Sequence, residues 1–334
     1  MRIPRKPAIA VLAFAGLLLF AGIFFGLRHI KGEGKPREMV TLAVTKQPVS
    51  ALLYIAQAKG YFRSEGLEVM MQPYSSGKAA FDAVLGGNAQ LATVAETPIM
   101  FAGLDGRPVC VVATIADSDR YVEILARKDS GISKPGDLRY KKVGVTAGTN
   151  GEFFLEIYLL FYRIPKNEVH IINMDSGEMV SALIRRKIDA VATWEPYLTI
   201  LQRKLGNNAV LLINEDIYRA VWNIAAEKTF VDENPDIIKR LLSALLRARY
   251  ALEAHPGEAQ RITDKYIGLS GASFSGINFD VRMSQTLLVI LDDQARWAIR
   301  NHYTRKTEVP NYLNLLYTKG LEAVDPYAVT VIHE

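Results

Sequence analysis

Residues 74–98 read YSSGKAAFDAVLGGNAQLATVAETP, residues 174–196 read MDSGEMVSALIRRKIDAVATWEP, and the second stretch repeats the landmarks of the first. In each, a Ser-Gly pair opens a helix-like segment, an Ala-Thr pair ends sixteen residues after that glycine, and Glu and Pro follow. Self-similarity of this kind indicates a duplicated structural unit. Two helix–strand units that merely share common caps and turns would look the same. The functional interpretation is two lobes facing one cleft, because ligands of open α/β sheets collect at the loops after the strands.

The sequence around these stretches alternates between short β-rich apolar runs and helical periodicity. Strands are expected at residues 40–44, 67–72, 90–93, 109–115, 122–126, 142–145, 169–172 and 189–192, and helices at 50–59, 78–85, 152–162 and 178–186. The first helix should stop at Gly60. This alternation predicts an α/β fold with largely parallel sheets. Beyond Phe230 the pattern changes to helices almost without strands, and the length of residues 39–334 predicts two domains.

The N-terminal region carries an apolar segment, Ala8 to Leu27, which follows basic residues at positions 2, 5 and 6. A basic stretch before an apolar run is typical of secretory targeting and predicts that the rest of the chain is extracytoplasmic, in the periplasm. The hydrophobic helix is a signal peptide or an uncleaved anchor in the cytoplasmic membrane. Retention is favoured because the segment is long enough to span a bilayer and no Ala-x-Ala triplet closes it. Residues 28–38 would form a linker.

The positive net charge of the chain comes from its N-terminal region. Seven of the 40 Lys and Arg residues and two of the 35 Asp and Glu residues lie in residues 1–38, so 33 of each sign remain beyond it. A strongly basic face is the electrostatic signature of nucleic-acid binding. Because residues 39–334 are formally neutral, we expect no nucleic-acid partner.

A series of short motifs lies in order between about Val40 and Asn234. The motifs include Ala58-Lys59-Gly60-Tyr61-Phe62, Tyr74-Ser75-Ser76-Gly77, Ala95-Glu96-Thr97-Pro98, Gly136-Asp137-Leu138, Lys141-Lys142-Val143-Gly144-Val145, Gly148-Thr149-Asn150 and Trp194-Glu195-Pro196. In this order and spacing they resemble the periplasmic binding proteins of ABC importers for aliphatic sulfonates, taurine, nitrate and thiamine-pyrimidine precursors.

The resemblance implies a periplasmic binding protein fold of type II, in which the chain crosses twice between two lobes joined by a hinge. It implies crossings near residues 121–127 and 219–226. Residues 39–123 and 224–334 would then form lobe one, and residues 124–223 lobe two. The partners implied are a small-molecule ligand, over which the lobes close, and an ABC permease with its ATPase.

The loop Gly148-Thr149-Asn150-Gly151 is the first candidate for ligand binding. It lies between a predicted strand and a predicted helix, where backbone N–H groups and the helix dipole can receive an anion. The alternative is that its glycines only permit a tight turn.

Two further segments are candidates at the ends of strands. Ser75, Ser76 and Gly77 precede a helix of the other lobe, and their hydroxyls can contact a ligand or only cap that helix. Thr45 and Gln47 end the first strand, so their side chains project at the rim of the predicted sheet.

The carboxylates Glu96, which precedes Thr97, and Glu195 hold matched positions in the repeat. They would favour a ligand that carries amino or other hydrogen-bond donors. The alternative is that each carboxylate accepts bonds from the N-terminus of the helix that follows it. We expect Glu96, Thr97 and Glu195 to line the cleft.

Trp194 and Trp222 could provide flat walls for a ligand, with packing in the core as the alternative. Asn223, beside the second predicted crossing, could donate to a ligand or stabilise the hinge.

The sequence contains no reactive constellation typical of an enzyme. The five histidines are dispersed, neither His-Glu-x-x-His nor Gly-x-Ser-x-Gly occurs, and the one cysteine, Cys110, lies in an apolar run. We therefore expect no catalytic residue, no metal and no cofactor. The expected ligand is a small organic anion of the sulfonate, taurine or nitrate kind, with a thiamine-pyrimidine precursor as an alternative. A membrane-tethered ligand sensor is the alternative to transport.

Overall fold

The computed structural model of the chain describes residues 37–213, 217–271, 274 and 276–332. In chain order its strands are β1 (Glu38–Thr45), β2 (Leu67–Tyr74), β3 (Leu91–Ala95), β4 (Val109–Ser118), β5 (Val122–Arg127), β6 (Lys142–Val145), β7 (His170–Asn173), β8 (Ala190–Trp194), β9 (Ala209–Leu212), β10 (Ala220–Glu227) and β11 (Ile277–Arg282). Its α-helices are α1 (Ala51–Ala58), α2 (Tyr61–Ser64), α3 (Gly77–Leu85), α4 (Glu96–Leu104), α5 (Asn150–Phe161), α6 (Ser176–Ile184), α7 (Tyr197–Leu205), α8 (Lys228–Glu233), α9 (Pro235–Ala254), α10 (Pro256–Ile267), α11 (Gln285–Arg300) and α12 (Lys319–Glu322).

The predicted strands and helices up to residue 194 all overlap observed elements, with ends that differ by a few residues. The first helix, α1, ends at Ala58, and Gly60 adopts φ +70°, a left-handed conformation that glycine enters without steric cost. Beyond Phe230 the described chain is mainly helical, as predicted, and β11 is the one strand named in that part of it.

The strands form two sheets with a shared plan. The first sheet has the order β11-β4-β10-β3-β1-β2 and the second has the order β7-β6-β8-β5-β9. Each contains a unit with the same neighbour order, β2-β1-β3 in the first and β7-β6-β8 in the second. Helices α3 and α6, which follow the two Ser-Gly pairs, lead into the matched strands β3 and β8. The sequence repeat therefore corresponds to a repeated structural unit.

The expectation of largely parallel sheets is wrong. β1 and β3 are parallel, as are β6 with β7 and β6 with β8. In contrast, β10 runs antiparallel to both β3 and β4, and β5 runs antiparallel to both β8 and β9. The reason is that β5 and β10 follow directly after the chain has crossed from the other sheet. Each therefore starts at the edge of its sheet where the neighbouring strands end, and it runs in the opposite direction to them.

The chain changes sheets between β4 and β5, at residues 119–121, and again between the end of β9 and the start of β10. The crossings expected at 121–127 and 219–226 lie too far along the chain, because each crossing segment enters its new strand almost at once. Residues 220–223 consequently belong to the first sheet, in β10, rather than to the second lobe.

The central strands are buried on both faces. Every residue of β3, β4, β5 and β8 is buried, and so are the first seven residues of β10. Strands covered on both faces read as continuous apolar runs, which explains why the sequence predicts them well. Polar side chains can meet a ligand only where these strands end.

None of the helices in the described part of the chain is both long and apolar enough to cross a bilayer. The signal peptide or anchor predicted at Ala8–Leu27 lies outside the described residues.

Candidate functional site

The two sheets meet around Tyr121, which lies in the first crossing segment. Its hydroxyl donates to the backbone carbonyl of Glu195 (2.8 Å) and lies 3.2 Å from Gln47 Oε1. The ring of Trp222, in β10, packs edge-on against Tyr121 at a centroid distance of 4.3 Å. Gln47 follows β1 of the first sheet and Glu195 follows β8 of the second. Predicted site residues from both lobes therefore converge here.

Four of the buried polar atoms at these strand and helix ends lack a hydrogen-bond partner within residues 37–213, 217–271, 274 and 276–332. They are Thr97 Oγ1, Asn150 Nδ2, Trp194 Nε1 and Trp222 Nε1. Each of these atoms can donate a hydrogen bond. A buried donor without a partner costs about 1–3 kcal/mol, and folded proteins leave few of them. The arrangement is suited to a ligand that presents several acceptor oxygens.

Glu96 is fully buried and is bonded within the fold, which differs from the ligand-binding role expected for it. Its carboxylate accepts hydrogen bonds from Val221 N (2.9 Å), from Gln294 Nε2 (2.9 Å) and from the Tyr218 hydroxyl. Burial raises the pKa of Glu96, although these hydrogen bonds oppose the shift. Glu96 therefore ties the start of α4 to β10 and α11.

Glu195 is only half-buried. Its Oε2 accepts a hydrogen bond from Thr199 N (3.2 Å) in the first turn of α7, which is the capping role given as the alternative. Burial raises the pKa of this carboxyl as well. The matched carboxylates thus have different environments.

Thr45 and Asn223 are also bonded inside the first sheet, and both are fully buried. The Thr45 hydroxyl hydrogen-bonds Ser50 Oγ (2.9 Å). Asn223 Oδ1 accepts from Thr114 Oγ1 (2.8 Å), and Asn223 Nδ2 donates to Val221 O (3.1 Å). These polar groups have partners within the first sheet and so stabilise it, and the ligand contacts expected for them stay a prediction.

Two of the backbone donors in the loop before α5, those of Gly148 and Gly151, are bonded within the loop and α5. Gly148 N donates to Glu152 Oε2 (2.8 Å), and Gly151 N donates to Thr149 Oγ1 (3.3 Å). The Thr149 hydroxyl in turn donates to Thr146 O (2.6 Å). The Glu152 carboxylate therefore occupies the Gly148 N–H group, and anion binding by the rest of the loop stays a prediction.

The segment before α3 has two structural roles. Ser76 Oγ accepts from Ala79 N (3.1 Å), so Ser76 caps the helix. Ser75 is exposed, and its carbonyl accepts from the Tyr197 hydroxyl (3.2 Å) at the start of α7. This second bond joins the segment after β2 of the first sheet to the helix after β8 of the second sheet.

Gly77 and Gly177 hold the same place in the sequence repeat but have different surroundings. A Cβ on Gly77 would lie 3.1 Å from Ala95 N and 3.2 Å from Val94 Cα, whereas a Cβ on Gly177 would meet Asp175 Oδ1 at 3.1 Å. The backbone of a central strand cannot move away easily, but a side chain can rotate. We expect Gly77→Ala to lower the free energy of unfolding by about 1–3 kcal/mol. Gly177→Ala should change it by less than about 1 kcal/mol.

Urea unfolding of the two glycine variants, followed by circular dichroism, checks this difference. Equal losses of stability would contradict the packing argument.

Three tyrosines that the sequence analysis does not single out organise the site. Tyr121 and Tyr218 lie in the two crossing segments, and Tyr197 follows the second Glu-Pro pair. Burial raises the pKa of all three, so their hydroxyls stay protonated at neutral pH and can donate. Their nearness to the predicted crossings is a signal in the sequence, but the direction of each side chain is not.

The family model described as NMT1/THI5 like matches residues 47–259 of this chain. A Bacillus subtilis protein provisionally named an aliphatic sulfonates-binding protein is 28% identical over 256 residues, which cover 73% of this chain and 76% of that protein. The taurine-binding periplasmic protein of Escherichia coli is 24% identical over 226 residues, covering 66% of this chain and 68% of that protein.

Among solved structures, the alkanesulfonate-binding protein SsuA from Xanthomonas axonopodis pv. citri, bound to MOPS, superposes with a TM-score of 0.72 at 14% identity. The match covers 85% of this chain and 99% of that one. This likeness confirms the predicted α/β periplasmic binding protein fold with two sheets. Because the family match covers more than half of the chain and includes both crossing segments, the chain belongs to the NMT1/THI5-like family.

Proposed function

We propose that this chain is an extracytoplasmic solute-binding protein that captures a small organic oxyanion, of the sulfonate class, for an ABC importer. The observation that carries the proposal is the group of unpaired buried donors at Thr97, Asn150, Trp194 and Trp222. A sulfonate presents three acceptor oxygens on one centre and so can pair with several convergent donors. The names of the aliphatic sulfonates-binding and taurine-binding relatives support the same ligand class.

The lobes would close over the ligand by a rotation about the two places where the chain passes from one sheet to the other. Two hydrogen bonds between the lobes would stabilise such a closed form. One is the bond from Tyr197 to the Ser75 carbonyl (3.2 Å), and the other runs from Trp297 Nε1 on α11 to Glu156 Oε2 on α5 (2.9 Å). The closed form would then dock on the permease, whose ATPase drives import.

The apolar segment Ala8–Leu27 would serve as a signal peptide or as a membrane anchor, and in either role it would bring residues 39–334 outside the cytoplasm. The function we propose requires export but does not depend on which of these two roles the segment has.

Thermal unfolding of the full chain with candidate ligands tests the proposal. A ligand that binds only the folded chain raises the unfolding temperature, and the rise grows with the ratio of ligand concentration to Kd. We expect propane-1-sulfonate to raise it, and the ligand to be recovered unchanged after long incubation. Nitrate and an aminopyrimidine test the other ligand classes of the family. Stabilisation by none of the sulfonates would contradict the proposed ligand class.

A further inference from the structure

We propose that the second lobe captures the ligand first, and that Ser176 and Thr193 add two hydroxyl donors to its site; this inference rests on the proposed function. Ser176 begins α6, and Thr193 is the last residue but one of β8. Both side chains are fully buried. Ser176 Oγ and Thr193 Oγ1 have no hydrogen-bond partner within residues 37–213, 217–271, 274 and 276–332.

The sequence repeat shows why the Ser176 hydroxyl is unpaired. Ser76, its counterpart in the first lobe, caps α3 by accepting from Ala79 N (3.1 Å). In the second lobe the capping residue is Asp175, whose Oδ1 accepts from Gly177 N (2.7 Å). The cap has moved one residue towards the N-terminus, so Ser176 lies in the first turn of α6 and its hydroxyl does not cap the helix.

The two matched threonines differ in the same way. Thr93 Oγ1 accepts from Thr45 N (2.9 Å), so this hydroxyl holds β3 to the end of β1. Thr193 Oγ1 has no such bond in the described part of the chain. The Thr146 hydroxyl, just after β6, donates to Met174 O (2.9 Å), which follows β7. The first lobe therefore uses its Ser and Thr to build the fold, and the second lobe keeps them available.

The start of α6 lies at the boundary between the lobes. Burial raises the pKa of Tyr197, and the neighbouring Ser176 hydroxyl opposes this shift, although the two groups are not hydrogen-bonded to each other. The Tyr197 hydroxyl donates across the boundary to Ser75 O (3.2 Å). Its ring lies edge-on to Trp194 at a centroid distance of 6.4 Å, and Thr193 directly precedes Trp194. Both hydroxyls therefore lie near the donors already assigned to the ligand.

The unpaired donors of the described residues are divided unequally between the lobes. The first lobe supplies Thr97 and Trp222, and the second supplies Asn150, Ser176, Thr193 and Trp194. All of these atoms are buried in this arrangement of the lobes, so a ligand has to reach them before the lobes close. Because a hydrogen bond to a charged group is among the stronger ones, the lobe with more donors holds the oxyanion in the open form. The first lobe then closes over it.

Calorimetric titration of the full chain with propane-1-sulfonate tests the two added donors. Ser176→Ala and Thr193→Val each remove one hydroxyl and should weaken binding about tenfold. Thr93→Val makes the same change at the matched position of the first lobe, and Ser181→Ala removes an exposed hydroxyl from the helix that Ser176 begins. Both control variants should keep the wild-type affinity to within about twofold.

Thermal unfolding without ligand separates the roles of the two threonines. Thr93→Val would leave Thr45 N without its acceptor, so it should lower the unfolding temperature by a few degrees. Thr193→Val replaces an unpaired hydroxyl with a methyl group of the same shape, so it should leave the unfolding temperature unchanged or raise it. Equal losses in the two variants would contradict the difference between the lobes.

Stopped-flow tryptophan fluorescence with propane-1-sulfonate tests the order of engagement. Ser176→Ala weakens the first complex, so it should lower the association rate constant. Thr97→Val removes a donor of the lobe that closes later, so it should mainly raise the dissociation rate constant.

The outcomes separate this inference from the proposed function. Weaker binding in Ser176→Ala and Thr193→Val, with both control variants unchanged, supports the added donors. Wild-type affinity in both folded variants would overturn them, and slower association in Thr97→Val but not in Ser176→Ala would overturn the order; in either case the uptake function stands. Absence of binding by every sulfonate to the wild-type chain would contradict the proposed ligand class, and this inference with it.

Discussion

Replacing Glu96 with alanine is expected to lower the free energy of unfolding by about 3–5 kcal/mol, the loss typical of a buried hydrogen-bond network. The variant would leave Val221 N, Gln294 Nε2 and the Tyr218 hydroxyl without their common acceptor. Glu195→Ala is the matched control, because Glu195 is half-buried and accepts one backbone N–H bond at 3.2 Å. It should cost about 1 kcal/mol or less. Urea unfolding of both variants gives the comparison.

The pH dependence of the Glu96 effect provides a second measurement. Burial raises the pKa of Glu96, so the fold favours its protonated form. The stability that this group contributes is present below the ordinary pKa of a glutamate and is lost as pH rises through the raised value. The difference in unfolding free energy between wild type and Glu96→Ala should therefore be larger at about pH 5 than at about pH 8. A difference that grows with rising pH would contradict this assignment.

Asn150→Asp is expected to weaken binding of propane-1-sulfonate by about 100-fold or more, because like charges in a desolvated cleft repel by several kcal/mol. Asn150 is buried at the start of α5, and its Nδ2 is one of the unpaired donors. Asn150→Leu removes the donor without adding charge and should weaken binding by about tenfold. Titration calorimetry measures both effects.

Asn167→Asp is the control for the change of charge, since Asn167 is exposed on the second lobe. It should leave the affinity unchanged. Thermal unfolding of each variant without ligand separates a loss of binding from a loss of folding. Wild-type affinity in a folded Asn150→Asp chain would show that this side chain does not face the ligand.

The sequence brings out which segments come together more clearly than it brings out the bonds that their polar groups make. Gln47, Trp194, Glu195 and Trp222 come from both lobes and lie around the junction at Tyr121, a residue that the motifs do not indicate. The roles of the polar groups are less predictable. The Gly148 backbone N–H, expected to hold an anion, donates to Glu152 four residues along the chain.

The second crossing shows why the lobe boundaries could not be placed more closely. A largely apolar stretch, Ala220–Glu227, is compatible with a strand in either sheet. Its partners decide the matter, and these are β3 and β4, more than 100 residues earlier in the chain. Local periodicity contains no information about that pairing.

The sequence by itself determined the alternation of strands and helices and the duplicated unit. These follow from apolar periodicity and from caps and turns, which act between residues close together in the chain. Only the tertiary structure decided which polar groups remain for a ligand. Glu96 is bonded by Gln294, 198 residues away, whereas Trp194 and Trp222 keep unpaired donors. The physical reason is that a buried polar group is paired by whatever packs against it, and most of those neighbours are distant in sequence.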